Sequence, residues 1–358
     1  MRPRAVPVVR LLVVASVMIA GCSRAPSAAP PATTAPAAAK PASSPAPAAS
    51  GAAGLTVAMV LPGPINDKGF NQTGYDGLQQ CQQAGAKISY SESAPVPQYV
   101  KTYENFAQNN QVIIGHGFEF GDIAGQVAPD YPNVKFIVTS NPLKPEHRNV
   151  LHLMANSTQG AYLVGALAGL TTKTNQLGGI AGFDFPVLKA QMQAFEAGAK
   201  AVNPAISFNV VYLGTFDDVA KGKEAATSAA GAGVDVIYHI ADAAGLGVIN
   251  GAKGSGIKAI GWGADQHDVA PETVIASELI DQAKEIGQAC SDLAKGQFPG
   301  GTVRVDGLRS GVVAVSPLYN VAADVQAKLD AVKQQILDGS AVVPSIGGDI
   351  PGSGPQSG

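Results

Sequence analysis

The chain lacks two sequence patterns that are typical of hydrolases and of zinc enzymes. It contains no G-x-S-x-G elbow, so an α/β-hydrolase is not indicated. His147 and His152 have no thiol or acid at metal-ligand spacing, which argues against a zinc site. We therefore expect neither a metal nor another cofactor, and the sequence favours a protein that is not an enzyme.

Positive charge is also scarce once the N-terminus is set apart. Residues 1–21 contain three arginines and no acid, so removing them takes the formal net charge from −3 to −6. A mildly acidic body without a basic stripe predicts no binding to nucleic acid. No later segment is apolar enough to span a membrane.

The N-terminus has the pattern of a secretory signal, with arginines, an apolar stretch and then small residues. The sequence IAGC, residues 19–22, resembles a bacterial lipobox. That resemblance implies cleavage before Cys22, lipid on its sulfur and a membrane-anchored lipoprotein in the extracytoplasmic cell envelope. Residues 23–54 are nearly all Ala, Pro, Ser and Thr, which predicts a disordered tether. An ordinary cleaved signal with an incidental cysteine is the alternative.

Apolar runs alternate with helical patterns from residue 55 onward. Ten strand candidates between residues 55 and 279, with helices of 10–17 residues between them, indicate βαβ units and parallel sheets. Ten strands are too many for one small doubly wound sheet, so we expect two sheets of five or six. Residues 140–150 have turn chemistry without periodicity and are the predicted break. The body is therefore expected to be two α/β lobes with a cleft between them.

Polar residues and one aromatic ring follow the first predicted strand. In open α/β sheets, ligands bind outside the carboxyl ends of the strands. Asp67 can accept hydrogen bonds from vicinal hydroxyls, and Asn71 can donate and accept. Phe70 offers a flat apolar face to an aromatic ligand. The alternative is that Asp67 caps a helix and Phe70 belongs to the core.

Six segments together resemble one known family. In chain order they are INDKGFNQTGYDGL, GFEFGDIAGQVAPDYPNVKF, AYLVGALAGL, FEAGAKAVNP, GTFDDVAKGKEAA and GWGADQ. Over residues 55–345 they resemble the basic membrane protein family of ABC-transporter substrate-binding lipoproteins, which includes purine-nucleoside receptors. The resemblance implies a periplasmic-binding-protein type I fold, with two Rossmann-like lobes, parallel sheets and three crossovers. It also implies a small-molecule ligand in the cleft, and an ABC permease and ATPase as membrane partners.

The resemblance also implies a division of the chain. The expected parts are a signal peptide (1–21), a lipidated Cys22 with its tether (22–54), a first lobe (55–141 and 270–298), a second lobe (142–269 and 299–345) and a flexible tail (346–358).

The family's pattern assigns some of the candidate ligand residues, and their place at strand ends suggests the others. Phe70 and Phe216 match its two stacking rings, one from each lobe, closing on a planar base. Further candidates stand at other strand ends: His116, Phe118, Phe185 with Phe183 as the alternative, Asp242, Gly245, Trp262, Asp265 and Gln266. For a ligand with hydroxyls, Asp67 and Asp265 are the acids available to bind them.

The chain departs from the nucleoside-binding pattern at three places. That pattern has an acid where Gly263 stands, another near Ser140 and a Lys where this chain has SELID, residues 277–281. The departures predict a less charged pocket, for another heteroaromatic ligand or for a nucleoside that is held differently.

The same resemblance predicts a disulfide between Cys81 and Cys290. The family's fold returns the strand at 273–279 and the helix after it to the first lobe. Each cysteine lies 11 residues after the start of its predicted helix, namely Phe70 and Leu279. An extracytoplasmic location permits the bond. Two buried thiols packing as small apolar groups are the alternative.

Two other functions remain open at this point. A sensor that presents its ligand to a membrane signalling receptor would use the same fold. A Rossmann-type NAD-dependent oxidoreductase is less favoured: GLGVING, residues 245–251, resembles a dinucleotide-binding turn, and Asp265 follows it, but the glycine spacing is not the standard one.

Overall fold

The computed structural model describes residues 54–66 and 70–345. The strands are β1 (Thr56–Leu61), β2 (Lys87–Glu92), β3 (Val112–Gly115), β4 (Lys135–Val138), β5 (Val150–Ala155), β6 (Gln176–Ala181), β7 (Ser207–Tyr212), β8 (Val236–Ile240), β9 (Lys258–Gly263), β10 (Val274–Ile280), β11 (Thr302–Asp306) and β12 (Val313–Val315). The helices are α1 (Phe70–Gln83), α2 (Tyr99–Ala107), α3 (Phe120–Val127), α4 (Ser157–Thr171), α5 (Pro186–Val202), α6 (Val219–Gly231), α7 (Asp242–Ser255), α8 (Gln282–Ala294) and α9 (Val325–Leu337). The predicted signal peptide, lipidated Cys22 and flexible tail lie outside the described residues.

Sequence pattern explains which strands lie at the centre of each sheet. Five of the six residues of β1 and all four of β3 are buried, as expected for strands covered on both faces. The edge strands β2 and β7 instead carry several exposed residues. The side chains of Asp218 and Asp281 cap α6 and α8 by accepting hydrogen bonds from Lys221 N (3.0 Å) and Lys284 N (2.8 Å). In the described part of the chain, no helix is long and apolar enough to cross a membrane.

The strands form two six-stranded sheets, as the strand count predicts. The first sheet has the order β11-β5-β4-β3-β1-β2, and all its neighbouring strands are parallel. The second has the order β12-β10-β9-β8-β6-β7 and is parallel except for β12, which runs antiparallel to β10. The chain passes between the sheets three times, after β5, β10 and β11, so the expected α/β fold with three crossovers is confirmed.

Three strands lie in a different lobe from the one expected for their residues. β5 belongs to the first sheet and β10 to the second, and β11, which the periodicity does not predict, belongs to the first. The turn-rich residues 140–150 connect β4 and β5 within one sheet, so a lack of periodicity there does not mark the passage between lobes. The passage instead follows Ala155, where buried β5 runs almost directly into buried α4.

A disulfide joins Cys81 of α1 to Cys290 of α8, with a Cα–Cα distance of 5.6 Å. The two helices can approach closely because Gly77 faces Ile286: a Cβ on Gly77 would lie 2.8 Å from the Ile286 Cβ. The predicted bond is thus present in the structure, although only α8, and not the preceding β10, returns to the first sheet.

Candidate functional site

The predicted ligand residues stand at the carboxyl ends of parallel strands in both sheets. In the first sheet they follow β1 and β3, and in the second sheet they follow β6, β7, β8 and β9. Ligands of open α/β sheets bind at such ends, because the loops there diverge and leave backbone groups exposed. These loops are therefore the candidate site.

On the first sheet, Phe70 opens α1 and stacks on His116, with ring centroids 4.0 Å apart. His116 Nε2 lies 2.8 Å from the Phe70 carbonyl oxygen, and Nδ1 lies 3.0 Å from Thr139 Oγ1. His116 is completely buried in this structure, and its role as a ligand residue stays a prediction. Its ring packs against Gly74, where a Cβ would come within 2.5 Å, and supports Phe70 from behind.

The hydrogen bonds of His116 specify its tautomer. A carbonyl oxygen can only accept, so Nε2 carries the proton and donates to Phe70. Nδ1 then accepts from the Thr139 hydroxyl, whose oxygen in turn accepts from Gly117 N at 3.1 Å. The ends of β3 and β4 thereby determine where the first residue of α1 lies.

The other first-sheet candidates have separate roles. Asn71 Oδ1 accepts a hydrogen bond from Gly63 N (3.0 Å), which ties the loop after β1 to α1. Phe118 is 60% exposed, and its carbonyl accepts a hydrogen bond from Asn141 Nδ2 at 3.0 Å. The Phe118 ring is thus available to a ligand. Asp67 lies outside the described residues.

On the second sheet, three phenylalanines form one aromatic cluster. Phe183 stacks on Phe185 (centroids 5.1 Å apart, interplanar angle 7°) and meets Phe216 edge-on at 5.0 Å. Phe185 is 40% exposed, whereas Phe183 and Phe216 are half-buried. The two rings that the sequence offers as alternatives, Phe183 and Phe185, both belong to the cluster, and Phe185 presents the larger open surface.

A glycine makes this cluster possible. A Cβ on Gly182 would lie 2.2 Å from two ring carbons of Phe216, so only glycine admits the ring against the end of β6. The Phe216 carbonyl accepts a hydrogen bond from Ala244 N at 2.8 Å, in the first turn of α7. The position of the ring is therefore coupled to the start of the next helix. The sequence does not single out Gly182, because a single glycine after a strand is a common feature.

The turn between β8 and α7 contains Asp242 and Gly245. Asp242 is exposed and has a φ of +44°, an uncommon backbone conformation for an aspartate. Such conformations often mark functional sites. Gly245 is buried, and a Cβ there would come within 2.3 Å of His239 ring atoms. The absence of a side chain at Gly245 makes room for His239, and the ligand contact there stays a prediction.

His239 is a buried residue that sequence analysis misses. Its Nε2 lies 2.8 Å from Gln266 Oε1, and its Nδ1 has no partner among the described residues. Burial lowers the pKa of His239 to about 4, so the ring is neutral at physiological pH. Gln266 Oε1 also accepts a hydrogen bond from Trp262 N (3.1 Å), which occupies both lone pairs of that oxygen. Gln266 thus holds the β9 loop together.

The remaining two candidates lie at the end of β9 and in the loop after it. Trp262 is half-buried, and its Nε1 donates to Gln191 Oε1 at 3.2 Å. Asp265 is exposed, accepting hydrogen bonds from the Tyr319 hydroxyl (2.7 Å) and from His267 N (3.1 Å). The Tyr319 ring stacks on His267 at 3.5 Å, so Asp265 is held in one orientation. Tyr319, which the sequence does not single out, comes from the segment after β12.

The glycines that resemble a dinucleotide-binding turn have another explanation. They lie inside α7 rather than in the loop before it. A Cβ on Gly247 or Gly251 would lie 2.0 Å or 2.6 Å from a backbone oxygen of α6, at Val219 or Lys223 respectively. These glycines let two helices pack closely, and the motif is not a phosphate-binding loop.

Residues 55–346 match the model of the family "ABC transporter substrate-binding protein PnrA-like". The chain belongs to this PnrA-like family of ABC transporter substrate-binding proteins. A CD4+ T-cell-stimulating antigen of Listeria monocytogenes is 34% identical over 81% of this chain and 88% of its own. The ABC transporter nucleoside-binding protein BmpA of Lactococcus lactis is 30% identical over 78% of this chain and 86% of its own.

A solved structure supports the fold on independent grounds. An ABC transporter solute-binding protein from Aeropyrum pernix superposes with a TM-score of 0.70, at 21% identity, over 80% of this chain and 92% of its own. The PnrA-like match includes both sheets and all three crossovers, so the expected family and fold are confirmed together. Substrate-binding proteins of ABC transporters bind a small-molecule ligand and are extracytoplasmic.

Proposed function

We propose that this chain is the lipid-anchored receptor of an ABC importer and captures a small planar ligand, a nucleoside or a related heteroaromatic compound. The observation that carries the proposal is the placement of aromatic rings at the carboxyl ends of both sheets. Phe70 stands on the first, and the cluster of Phe183, Phe185 and Phe216 stands on the second. Rings on both sides suit a flat ligand, which stacks on each of them.

The polar groups around these rings suit a neutral ligand with hydroxyls. Asp242 and Asp265 are exposed on the second-sheet side, and carboxylates accept hydrogen bonds from hydroxyl groups. The name of the Lactococcus relative, which refers to nucleoside binding, supports the same ligand class. On this proposal the transporter's permease and ATPase are the membrane partners, and the lipid on Cys22 retains the receptor at the membrane.

Native mass spectrometry of the full chain, purified from membranes, tests the ligand class directly by showing what copurifies. We expect the mass of a nucleoside or nucleobase-like compound. Titration calorimetry with that compound should show that Phe216→Ala weakens binding by about 1–3 kcal/mol, the range for base–aromatic stacking. Phe208→Leu, a change behind the sheet where the ring packs on Phe195, is the matched control and should leave affinity unchanged. A flexible aliphatic ligand, or equal affinities of Phe216→Ala and the parent, would overturn the proposal.

The anchor is tested separately. Cys22→Ser should move the protein from the membrane fraction to the soluble extracytoplasmic fraction, whereas Ser23→Ala should not. Retention of the Cys22→Ser protein on membranes would contradict lipidation at this position.

A further inference from the structure

Polar side chains connect the β10–α8 crossover to the first residue of α1. Gln282, the first residue of α8, is 8% exposed. Its Nε2 donates to Ser140 Oγ at 2.9 Å, and its Oε1 accepts from Thr73 Oγ1 at 3.1 Å. Ser140 follows β4, and Thr73 lies in α1. The crossover therefore places one buried amide between two elements of the first lobe.

Both partners of Gln282 lead to Phe70. The hydroxyl of Thr73 lies 2.8 Å from the Phe70 carbonyl oxygen, so its single proton is shared between that oxygen and Gln282. Ser140 is adjacent in sequence to Thr139, which binds His116, and His116 donates to the same Phe70 carbonyl. These contacts form a closed network around the first turn of α1. The Phe70 side chain stacks on one member of this network, His116.

The backbone conformation of Ser140 supports a specialised role for this network of contacts. Ser140 has a φ of +58°, in the left-handed region that a serine rarely adopts. This conformation directs Thr139 toward His116 while the next side chain meets Gln282. A residue held in an unfavourable conformation needs contacts that stabilise it, and Gln282 supplies one.

Within this network, Gln282 is the residue that comes directly after a strand of the second sheet in the chain. β10 ends at Ile280 in that sheet, and Asp281 caps α8. Asp281 N also donates to Val312 O at 2.7 Å, which links the segment to the crossover between β11 and β12. Movements between lobes are usually absorbed by a few residues of this kind. A displacement of the second sheet would thus move Gln282 before it moved the other residues of the network.

We propose that Gln282 is a positioning residue that makes the orientation of the Phe70 ring depend on the arrangement of the crossovers. The role rests on the proposed function, because it gives Phe70 its purpose as a ligand-stacking ring. When the lobes are arranged for binding, Gln282 draws part of the Thr73 proton away from the Phe70 carbonyl and holds Ser140 beside Thr139. In another arrangement, Thr73 donates to the Phe70 carbonyl alone and Ser140 loses its amide partner, so the hydrogen bonds that orient the Phe70 ring change.

Fluorine NMR of the full chain labelled with 4-fluorophenylalanine tests this role without any ligand. The chain has 11 phenylalanines, and Phe70→Leu assigns the resonance of interest. Gln282→Leu should shift or broaden the Phe70 signal and leave that of Phe216 unchanged. Gln288→Leu is the matched control, because Gln288 lies on the same helix but is exposed and its side chain donates to Asp292 of the same helix. An unchanged Phe70 signal in Gln282→Leu would overturn the proposal.

A second pair of variants guards against loss of folding. If Gln282→Leu does not fold, Thr73→Val removes the adjacent hydroxyl, and Thr73→Ser restores it. Thr73→Val should perturb the Phe70 signal and Thr73→Ser should return it. Identical spectra for the two variants would count against the positioning role.

Calorimetry with adenosine as the probe separates this inference from the proposed function. We expect Gln282→Leu to weaken binding about threefold to tenfold, the effect of one net hydrogen bond. In a Phe70→Ala background the same change should have little effect, since residues that act through one another are not additive. Additive effects would refute the role of Gln282. A Phe70→Ala protein that binds as tightly as the parent would refute the stacking function instead.

Discussion

The two sheets hold their aromatic rings in different ways. Phe70 of the first sheet is supported by hydrogen bonds from His116 and Thr73 to its carbonyl. Phe216 of the second sheet is supported mainly by two other rings and by the space that Gly182 leaves. Hydrogen bonds depend steeply on direction, whereas apolar contacts tolerate small shifts. The first ring is therefore the one whose position can respond to the crossovers, and the second is a comparatively constant surface.

The largest expected difference between the two lobes comes from the disulfide. Cys81 and Cys290 join α1 and α8, the helices that begin at Phe70 and Gln282, across a sequence separation of 209 residues. The chain-entropy model gives about 5 kcal/mol as an upper figure for a loop of this length. We expect the double change of both cysteines to Ala to lower the free energy of unfolding by several kcal/mol, measured by urea denaturation.

A local readout sharpens this prediction. The fluorine signal of Phe70 should change in the protein without the disulfide, and that of Phe216 should not. Equal unfolding free energies with and without the bond would mean that packing of α1 on α8 suffices.

Two buried acids flank the β10–α8 crossover and should make stability depend on pH. Glu278 lies in β10 and accepts a hydrogen bond from Tyr238, while Glu285 of α8 has no partner for either oxygen among the described residues. Burial raises the pKa of each to about 8 from an ordinary 4.5. Arg304 and Asp306 face Glu285, and the Asp306 charge adds to the rise.

The direction of the pH effect follows from proton linkage. Between pH 4.5 and 8 the folded chain holds protons that the unfolded chain has lost. The stability that these two carboxyls contribute is therefore greatest below pH 4.5 and falls as pH rises from there to about 8, with a slope of up to about 1.4 kcal/mol per pH unit for each carboxyl. Glu278→Gln and Glu285→Gln should each flatten the profile obtained by denaturation at several pH values. A profile that stays as steep in both variants would place the dependence elsewhere.

A glycine substitution tests the apolar side of the comparison. In Gly182→Ala the new methyl group would collide with the Phe216 ring, and overpacking of this kind costs about 1–3 kcal/mol. The ring should tilt, so ligand affinity measured by calorimetry should fall with stability. Gly125→Ala adds a methyl group to α3 with no atom within 4 Å and serves as the control. Unchanged affinity in Gly182→Ala would show that the orientation of Phe216 is unimportant for binding.

Sequence patterns predict the fold well because they indicate which segments are buried and how strands and helices alternate along the chain. Strands such as β1 and β3 are almost entirely apolar, which is a local property. The sheet to which β5, β10 or β11 belongs depends on where the chain passes from one lobe to the other. These passages have no periodic pattern of their own in the sequence.

Side-chain roles are harder to predict for a related reason. His116 and Phe118 stand two residues apart, yet one is buried behind Phe70 and the other is 60% exposed. Alternation along the chain cannot say which side faces the cleft when the strand has already ended. Gly182, His239 and Gln282 act through contacts with residues distant in sequence, so their surroundings alone do not distinguish them from ordinary turn or core residues.

The smallest expected effect tests the polar side of the comparison. Thr139→Val keeps the shape of the side chain but removes the hydroxyl between Gly117 N and His116 Nδ1. Loss of a buried partner should lower the free energy of unfolding by about 1–2 kcal/mol. Thr158→Val, which removes the buried bond to Asn156 Oδ1, should cost a similar amount. Only Thr139→Val should also shift the fluorine signal of Phe70, because its hydroxyl orients the ring that supports Phe70. If both variants left that signal in place, the support of Phe70 would rest on stacking alone, and the two sheets would hold their rings in the same way.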